Sequence, residues 1–130
     1  MEKNYNVKIY ESSREFNARE RIAMKDLTNA IKFDSVIADD HDKPIVIKPV
    51  DWAVLEIHNS KAEKDMYFVY VIINSEGNKY YTSSAAFWNS FIEIVDEMAA
   101  ENDNDFSIEV YKCESKNYKG KYFITCGIVL

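Results

Sequence analysis

Lysine and tyrosine residues are interleaved near the carboxyl end of the chain. Residues 112–122 read Lys-Cys-Glu-Ser-Lys-Asn-Tyr-Lys-Gly-Lys-Tyr, with four lysines against one glutamate. Lysine ammonium groups attract phosphates, and each tyrosine ring offers a flat face on which any base can stack, worth about 1–3 kcal/mol. The alternative is an ordinary exposed hairpin tip, because such tips are usually rich in lysine. The residues concerned are Tyr111, Lys112, Lys116, Tyr118, Lys119, Lys121 and Tyr122.

A second group of aromatic residues lies on two predicted strands, residues 66–74 and 79–82. Both segments are rich in β-branched and aromatic side chains, which favour strands. Strand alternation predicts that the row from Tyr67 to Ile73 points into the core, whereas Phe68 and Tyr70 point outward. Alternatively, a helix or the amino-terminal segment covers these rings, which then form a second core layer.

The turn between these strands decides which residues of the second strand join Phe68 and Tyr70. A two-residue loop would place Lys79 and Tyr81 on the outward face. A three-residue loop with a glycine bulge would place Tyr80 there instead. The sequence leaves both registers open.

All three arginines lie close together in the amino-terminal segment, at Arg14, Arg19 and Arg21. A guanidinium group can grip a phosphate with two hydrogen bonds and can stack on a base. Glu15 and Glu20 dilute the positive charge, so an ordinary solvated face is the main alternative. A further interpretation is an arm that packs on a neighbouring copy of the chain and assembles it into oligomers.

The remaining reactive residues predict little chemistry. Asp39, Asp40, His41 and Asp42 are metal-ligand types, but consecutive residues of a loop seldom converge on one ion. His58 has no nucleophile motif nearby, and the three glycines form no phosphate-binding loop. The sequence therefore predicts a protein that is not an enzyme and has no cofactor or metal.

Net charge at first argues against a polyanionic partner, because the chain carries −6. Residues 84–105 hold six acidic residues and no lysine or arginine, so the remainder of the chain is neutral in sum. Phosphate binding depends on the local field, which salt screens over about 8–10 Å. The acidity thus weakens the prediction of phosphate binding without excluding it.

The composition also indicates where in the cell the protein is expected. Two cysteines without paired-motif spacing favour a reducing, cytoplasmic setting. No apolar run approaches the roughly 18 residues of a membrane helix, and the first residues lack the apolar stretch of a signal peptide. We therefore expect no membrane partner.

The predicted elements order these residues as three strands, one helix and two strands. In front of them, residues 1–44 are interpreted as an arm, with a short strand around Val7 and Ile9 and a weak helix after a capping-box pattern at Ser12 and Glu15. Residues 45–130 are interpreted as a five-stranded OB-fold barrel, mainly β with one or two helices, because that fold has this element order. The predicted elements of the domain are strands at 52–59, 66–74 and 79–82, a helix starting after Ser83 or Ser84 with an apolar face from Phe87 to Met98, and strands at 106–110 and 122–130.

Residues 50–130 resemble the small OB-fold single-stranded DNA-binding proteins of Gram-positive mobile elements, the conjugative plasmids and phages. The residues that carry the resemblance are Lys79-Tyr-Tyr-Thr-Ser-Ser84 before the helix, then Phe106-Ser-Ile-Glu-Val-Tyr-Lys112 and Ser115-Lys-Asn-Tyr-Lys-Gly-Lys-Tyr-Phe123.

The resemblance implies coating of single-stranded DNA during replication or conjugation, without catalysis, by a protein that oligomerises. The rings and lysines would then lie along one groove. Whether RNA or duplex DNA also binds stays open, since all three ligands share phosphates and flat bases. The alternative function is a protein–protein adaptor that docks through the acidic face of the helix, at Glu93, Asp96 and Glu97.

Overall fold

The computed structural model describes residues 5–37, 44–59 and 65–130. Over these residues the fold is mainly β, as the sequence predicts. The elements are β1 (Tyr5–Ser12), α1 (Ala18–Lys25), β2 (Ile31–Lys32), α2 (Phe33–Val36), β3 (Ile45–Ile47), β4 (Pro49–Asn59), β5 (Met66–Asn74), β6 (Lys79–Thr82), α3 (Ala85–Ala100), β7 (Ile108–Glu114) and β8 (Tyr122–Ile128).

The strands form two sheets. One sheet has the order β1-β4-β5-β6-β2 and the other has the order β3-β7-β8. The two sheets are not closed into a barrel. The chain divides into two compact units, which do not follow the predicted boundary at residue 44: unit 1 joins the residues up to Ile31 to Val50–Ser83, and unit 2 joins Lys32–Pro49 to Ser84–Leu130.

Unit 1 is a sheet covered on one face by α1. β1 pairs antiparallel with β4, and the side chain of Met24 on α1 is buried among residues such as Leu55 and Val71. Phe16, just before α1, belongs to the same core. Residues 5–31 are therefore an integral part of this sheet-and-helix unit and not an extended arm.

The helix α1 begins five residues later than the sequence pattern indicates. Asn17 is its N-cap, and Asn17 and Glu20 exchange the two hydrogen bonds of a capping box, each at 2.9 Å. Ser12 is instead the last residue of β1, where it pairs with Ala53. Both Ser12 and Asn17 have a glutamate three residues later. Because β1 extends to Ser12, the helix cap falls to Asn17.

The strand β5 is packed on both faces. The row containing Val69 and Val71 faces α1, on the same side of the sheet as Val7 and Ile9 of β1, so it lines the core of unit 1 and not the interior of a barrel. On the opposite face Ile72 is fully buried. The turn to β6 is a three-residue loop, since the Asn74 amide donates to the carbonyl oxygen of Asn78 at 3.0 Å. Gly77 adopts φ +84° in this loop, a conformation that favours glycine.

Unit 2 packs α3 beside the β7–β8 hairpin. Ser84 caps α3 by accepting a hydrogen bond from the Phe87 amide, and the Ser84 hydroxyl also donates to the carbonyl oxygen of Ile124 on β8. Phe87 and Phe91 are fully buried, with parallel rings 5.9 Å apart. This predicted helix cap and apolar face agree with the structure, and they anchor the hairpin that carries the lysines.

Truncation of Met24 tests whether the amino-terminal segment is part of the folded core. Met24 is 2% exposed, whereas Ile22 on the same helix is 68% exposed. We expect Met24→Ala to lower the free energy of unfolding by about 2–5 kcal/mol, because it empties buried volume. Ile22→Ala should change it by less than about 0.5 kcal/mol. Urea unfolding of both variants makes the comparison, and equal small effects would show that α1 adds nothing to the core.

Candidate nucleic-acid interface

The tip of the β7–β8 hairpin has a defined backbone. Glu114 lies opposite Tyr122 at the end of the paired strands, and residues 115–121 form the loop. The Ser115 amide donates to the carbonyl oxygen of Lys121 at 2.8 Å, and the Lys121 amide donates to that of Tyr118 at 3.2 Å. Gly120 adopts φ +82°, as the third position of a type II turn requires. The loop is therefore a closed turn that presents its side chains outward.

The side chains of the tip combine cations with an exposed ring. Tyr118 is 64% exposed, and the Lys121 ammonium lies 5.6 Å from the centre of its ring. Lys116 and Lys119 are exposed beside them. Within the residues that the structure describes, no ion pair engages any of these three lysines. Their charge is thus available to a ligand, and the cation–π contact orders the Tyr118 ring.

The strand residues next to the tip divide between the two faces of the hairpin. Lys112 lies opposite Ile124, in the row that includes the core residues Val110 and Cys126. Tyr111 lies on the other face. Burial raises the pKa of the Tyr111 hydroxyl, with further contributions from nearby Cys113 and Glu109.

Two exposed rings follow the tip on β8. Tyr122, opposite Glu114, is exposed as the sequence predicts. Phe123, opposite Cys113, is 38% exposed and was missed by sequence reasoning. The alternation of side chains along β8 could have identified Phe123. Ile124 and Cys126 are buried on one face, which leaves Phe123 on the opposite face.

A separate aromatic surface lies in unit 1, on the face of the sheet opposite α1. Tyr80 pairs with Ile72, so the three-residue loop places Tyr80, and not Tyr81, on the face of Phe68 and Tyr70. Burial raises the pKa of the Tyr70 hydroxyl. Tyr10 adds the most exposed ring, at 65%, with its centre 5.2 Å from that of Phe68.

Sequence reasoning missed Tyr10 because the position of its side chain depends on a β-bulge. Ile9 lies opposite Leu55 and Glu11 lies opposite Val54, which leaves Tyr10 as an extra residue in β1. A bulge of this kind depends on pairing with a distant strand. The alternation of Val7 and Ile9 was the only local signal that Tyr10 faces away from the core.

Lys79 and Tyr81 lie on the α1 side of the sheet, where they stabilise the fold. The Lys79 ammonium donates to the carbonyl oxygens of Ala23 and Asp26 at the end of α1, the latter at 2.7 Å. Burial lowers the pKa of Lys79, although the Asp26 carboxylate opposes this shift. Tyr81 packs against the core of unit 1. Neither residue joins the surface of Phe68 and Tyr70 as the two-residue loop would have required.

The arginines do not form one cluster. Arg14 makes ion pairs with Glu20 at 2.5 Å and Asp51 at 3.0 Å, and its guanidinium lies 4.8 Å from the centre of the Phe16 ring. Arg21 donates to the carbonyl oxygen of Phe16 at 2.6 Å. Arg19 is exposed on α1. Two of the three guanidinium groups therefore hold the start of α1 in place.

Neither a metal site nor a membrane-spanning helix is found in the described part of the chain. No group of three or more His, Cys, Asp or Glu side chains there is placed to hold a metal ion. Asp39, Asp40, His41 and Asp42, the one metal candidate of the sequence, lie outside the described residues. No helix of residues 5–37, 44–59 and 65–130 has the length and apolar character needed to cross a membrane.

Comparison with known proteins yields no relative. The chain matches no protein-family model, no curated protein and no solved structure. Function has therefore to be inferred from the two aromatic surfaces and the basic hairpin tip described above.

The Arg14–Glu20 ion pair predicts a pH-dependent contribution to stability. The hydrogen bond from Arg14 lowers the pKa of Glu20 from 4.5 to about 2, and the Asn17 amide adds to the effect. A carboxyl group whose pKa is lower in the folded protein stabilises the fold above its unfolded pKa and loses that effect as the pH falls through the folded value.

We expect wild type to be more stable than Glu20→Gln at pH 6, with the advantage disappearing as the pH falls from 4.5 toward 2. Glutamine keeps the capping box, so the comparison isolates the charge. Urea unfolding midpoints across this pH range measure the difference in stability, and repeating the pair in an Arg14→Met background should reduce its pH dependence to the part that the Asn17 amide contributes. A pH-independent difference in the wild-type background would contradict the assignment.

Proposed function

We propose that this protein binds single-stranded DNA without strong sequence preference, as a cofactor-free and non-catalytic cytoplasmic protein that oligomerises on the strand. One observation carries the proposal: the closed turn at residues 115–121 displays an exposed ring among lysines that no carboxylate neutralises within the described residues. A single strand offers phosphates and unstacked bases together, and this tip offers a partner for each.

The ring and the ammonium group of the tip act on different parts of a nucleotide. Tyr118 presents a flat face to a base, while Lys116 and Lys119 lie beside it to receive phosphates. The Lys121 ammonium lies over the Tyr118 ring and limits its motion, so less side-chain entropy is lost when a base stacks there. In duplex DNA the bases are already stacked on each other, so the ring favours single strands.

The strand pairing supports a relationship to the OB fold. β3 and β4 are separated only by Lys48 and can be counted together as the first strand of such a fold, since β3 pairs with β7 and β4 lies beside β5. The hairpins β5–β6 and β7–β8 supply the remaining neighbours, with α3 between them. In this reading the loop at 115–121 joins the fourth and fifth strands, a loop that OB folds use to bind oligonucleotides.

The aromatic surface of unit 1 supports the same function. OB folds also bind through the face of their second and third strands, which here are β5 and β6. Phe68, Tyr70 and Tyr80 lie on one face of these strands, and Tyr10 extends it with an exposed ring. Phe68, Tyr70 and Tyr80 are half-buried, so the exposed Tyr10 ring is the one on which a base of any type can stack.

An adaptor that binds another protein is the second candidate. Glu93, Asp96 and Glu97 are exposed on α3 and form an acidic face on a well-packed helix. A basic partner would find charge complementarity there. This function predicts no salt-dependent affinity for DNA, and changes on α3 would matter more than changes in the hairpin.

Salt dependence tests the role of the lysines. Fluorescence titration with oligo-dT at several salt concentrations should give a linear fall of log affinity with log salt. Lys116→Gln/Lys119→Gln should reduce the slope by about 1.4, since each phosphate contact on a single strand contributes about 0.7. The control Lys25→Gln/Lys32→Gln removes the same charge from exposed positions outside the hairpin and should leave the slope unchanged. Absence of binding at low salt would exclude the proposed function.

Substitution of Tyr118 tests the role of stacking. We expect Tyr118→Ala to weaken oligo-dT binding about fivefold to a hundredfold, because one stacking ring is lost. Tyr118→Phe keeps the ring and should bind within about twofold of wild type. Tyr118 is exposed, so both variants should retain the wild-type urea midpoint. Equal affinities of Tyr118→Ala and wild type would place base stacking elsewhere, and stronger binding to duplex DNA of the same length would contradict single-strand preference.

A further inference from the structure

A groove of about 500 Å³ lies on β7, beside the basic tip and within the same unit. The described residues that line it are Pro44, Glu109, Tyr111, Cys113 and Glu114. Glu109, Tyr111 and Cys113 alternate along one face of the strand, and Glu114 follows at the end of the strand, next to the turn.

The lining selects one kind of chemical group. Among the residues that the structure describes, this lining contains two carboxylates and no lysine, arginine or histidine. Ionised carboxylates accept hydrogen bonds and cannot donate them, so they attract amino groups and repel phosphates. The Tyr111 ring and Pro44 add flat and apolar surface. A planar group with hydrogen-bond donors on its edge fits this combination.

We propose that the groove takes one base that carries an exocyclic amino group, such as cytosine or adenine, from a strand whose phosphates lie on the hairpin tip. This inference rests on the proposed function and refines it by adding a modest base preference. The base stacks on Tyr111, and its amino group donates to Glu109 or Glu114.

The charges of unit 2 orient the strand. The carboxylates of the groove exclude the backbone, while Lys116, Lys119 and Lys121 attract it a few residues further along the same hairpin. Glu114 lies at the junction, where its carboxylate also accepts a long hydrogen bond, at 3.5 Å, from the Gly120 amide of the turn. Base and phosphate are thus separated over a short distance along β7.

Thymine lacks the matching edge. Its O4 atom is an acceptor at the position where cytosine carries the N4 amino group, so a glutamate would face a like dipole. Glutamate paired with the cytosine amino group is a known means of base discrimination. A hydrogen bond to a charged group that is made with one base and lost with the other corresponds to a preference of about tenfold.

Binding of oligo-dC and oligo-dT of equal length tests the inference. Wild type should bind oligo-dC about tenfold more tightly, and Glu109→Gln/Glu114→Gln should reduce this ratio to about one, because glutamine can donate to thymine. The control Glu93→Gln/Glu97→Gln makes the same charge change on the exposed face of α3 and should keep the wild-type ratio.

Cys113 gives a second measurement on the unaltered protein. Its thiol lines the groove, whereas Cys126 is buried and its pKa is raised by burial to about 12. Oligo-dC at saturation should slow alkylation of Cys113 by N-ethylmaleimide at least fivefold more than the same phosphate chain without bases.

The outcomes separate the two proposals. A wild-type ratio near one with intact salt-dependent binding overturns the base site and leaves the proposed function standing. A tenfold ratio that survives Glu109→Gln/Glu114→Gln, or unchanged alkylation of Cys113, likewise overturns the site. Failure of both oligonucleotides to bind at low salt overturns the proposed function and the groove assignment together.

Discussion

The register of β7 against β8 determines which side chains of unit 2 meet the core and which meet the surroundings. Pairing of Val110 with Cys126 turns that row toward the buried residues, and pairing of Cys113 with Phe123 turns the alternate row outward. A slip of one residue would exchange the two rows. The buried contact of β8 with Phe87 of α3 opposes such a slip, because it would expose apolar side chains. The tip and the groove therefore both depend on apolar packing that lies beneath them.

The charges of unit 2 are segregated over short distances. α3 carries exposed acidic residues, the tip carries lysines, and the groove on β7 carries two glutamates. Each set acts over roughly the screening length of about 8–10 Å, so the net charge of the chain does not describe what a ligand meets. The same reasoning explains why an acidic protein is a reasonable candidate for a polyanionic partner.

The strands β5 and β6 and the long helix α3 were predictable because their signals are local. β5 and β6 begin and end where the apolar runs and the turn residues place them, and Ser84 caps α3. The amino-terminal segment was not predictable, because Met24 gains its role only by contact with distant strands. Lys79 shows the same limit, since its ammonium group binds carbonyl oxygens more than fifty residues earlier in the chain. For the candidate site, sequence reasoning found the tip, whereas the positions of Tyr10 and the groove depend on tertiary pairing.

The bulge in β1 has a consequence for how copies of this chain meet. β1 forms an edge of its sheet, and a straight edge strand would offer backbone groups for a strand of another molecule to extend the sheet. The extra residue at Tyr10 interrupts the regular spacing of those groups, and Lys8 and Glu11 place charges beside it. This edge is consequently a poor template for amyloid-like stacking, and contacts between copies that are made through it have to rely on side chains in place of continuous sheet formation.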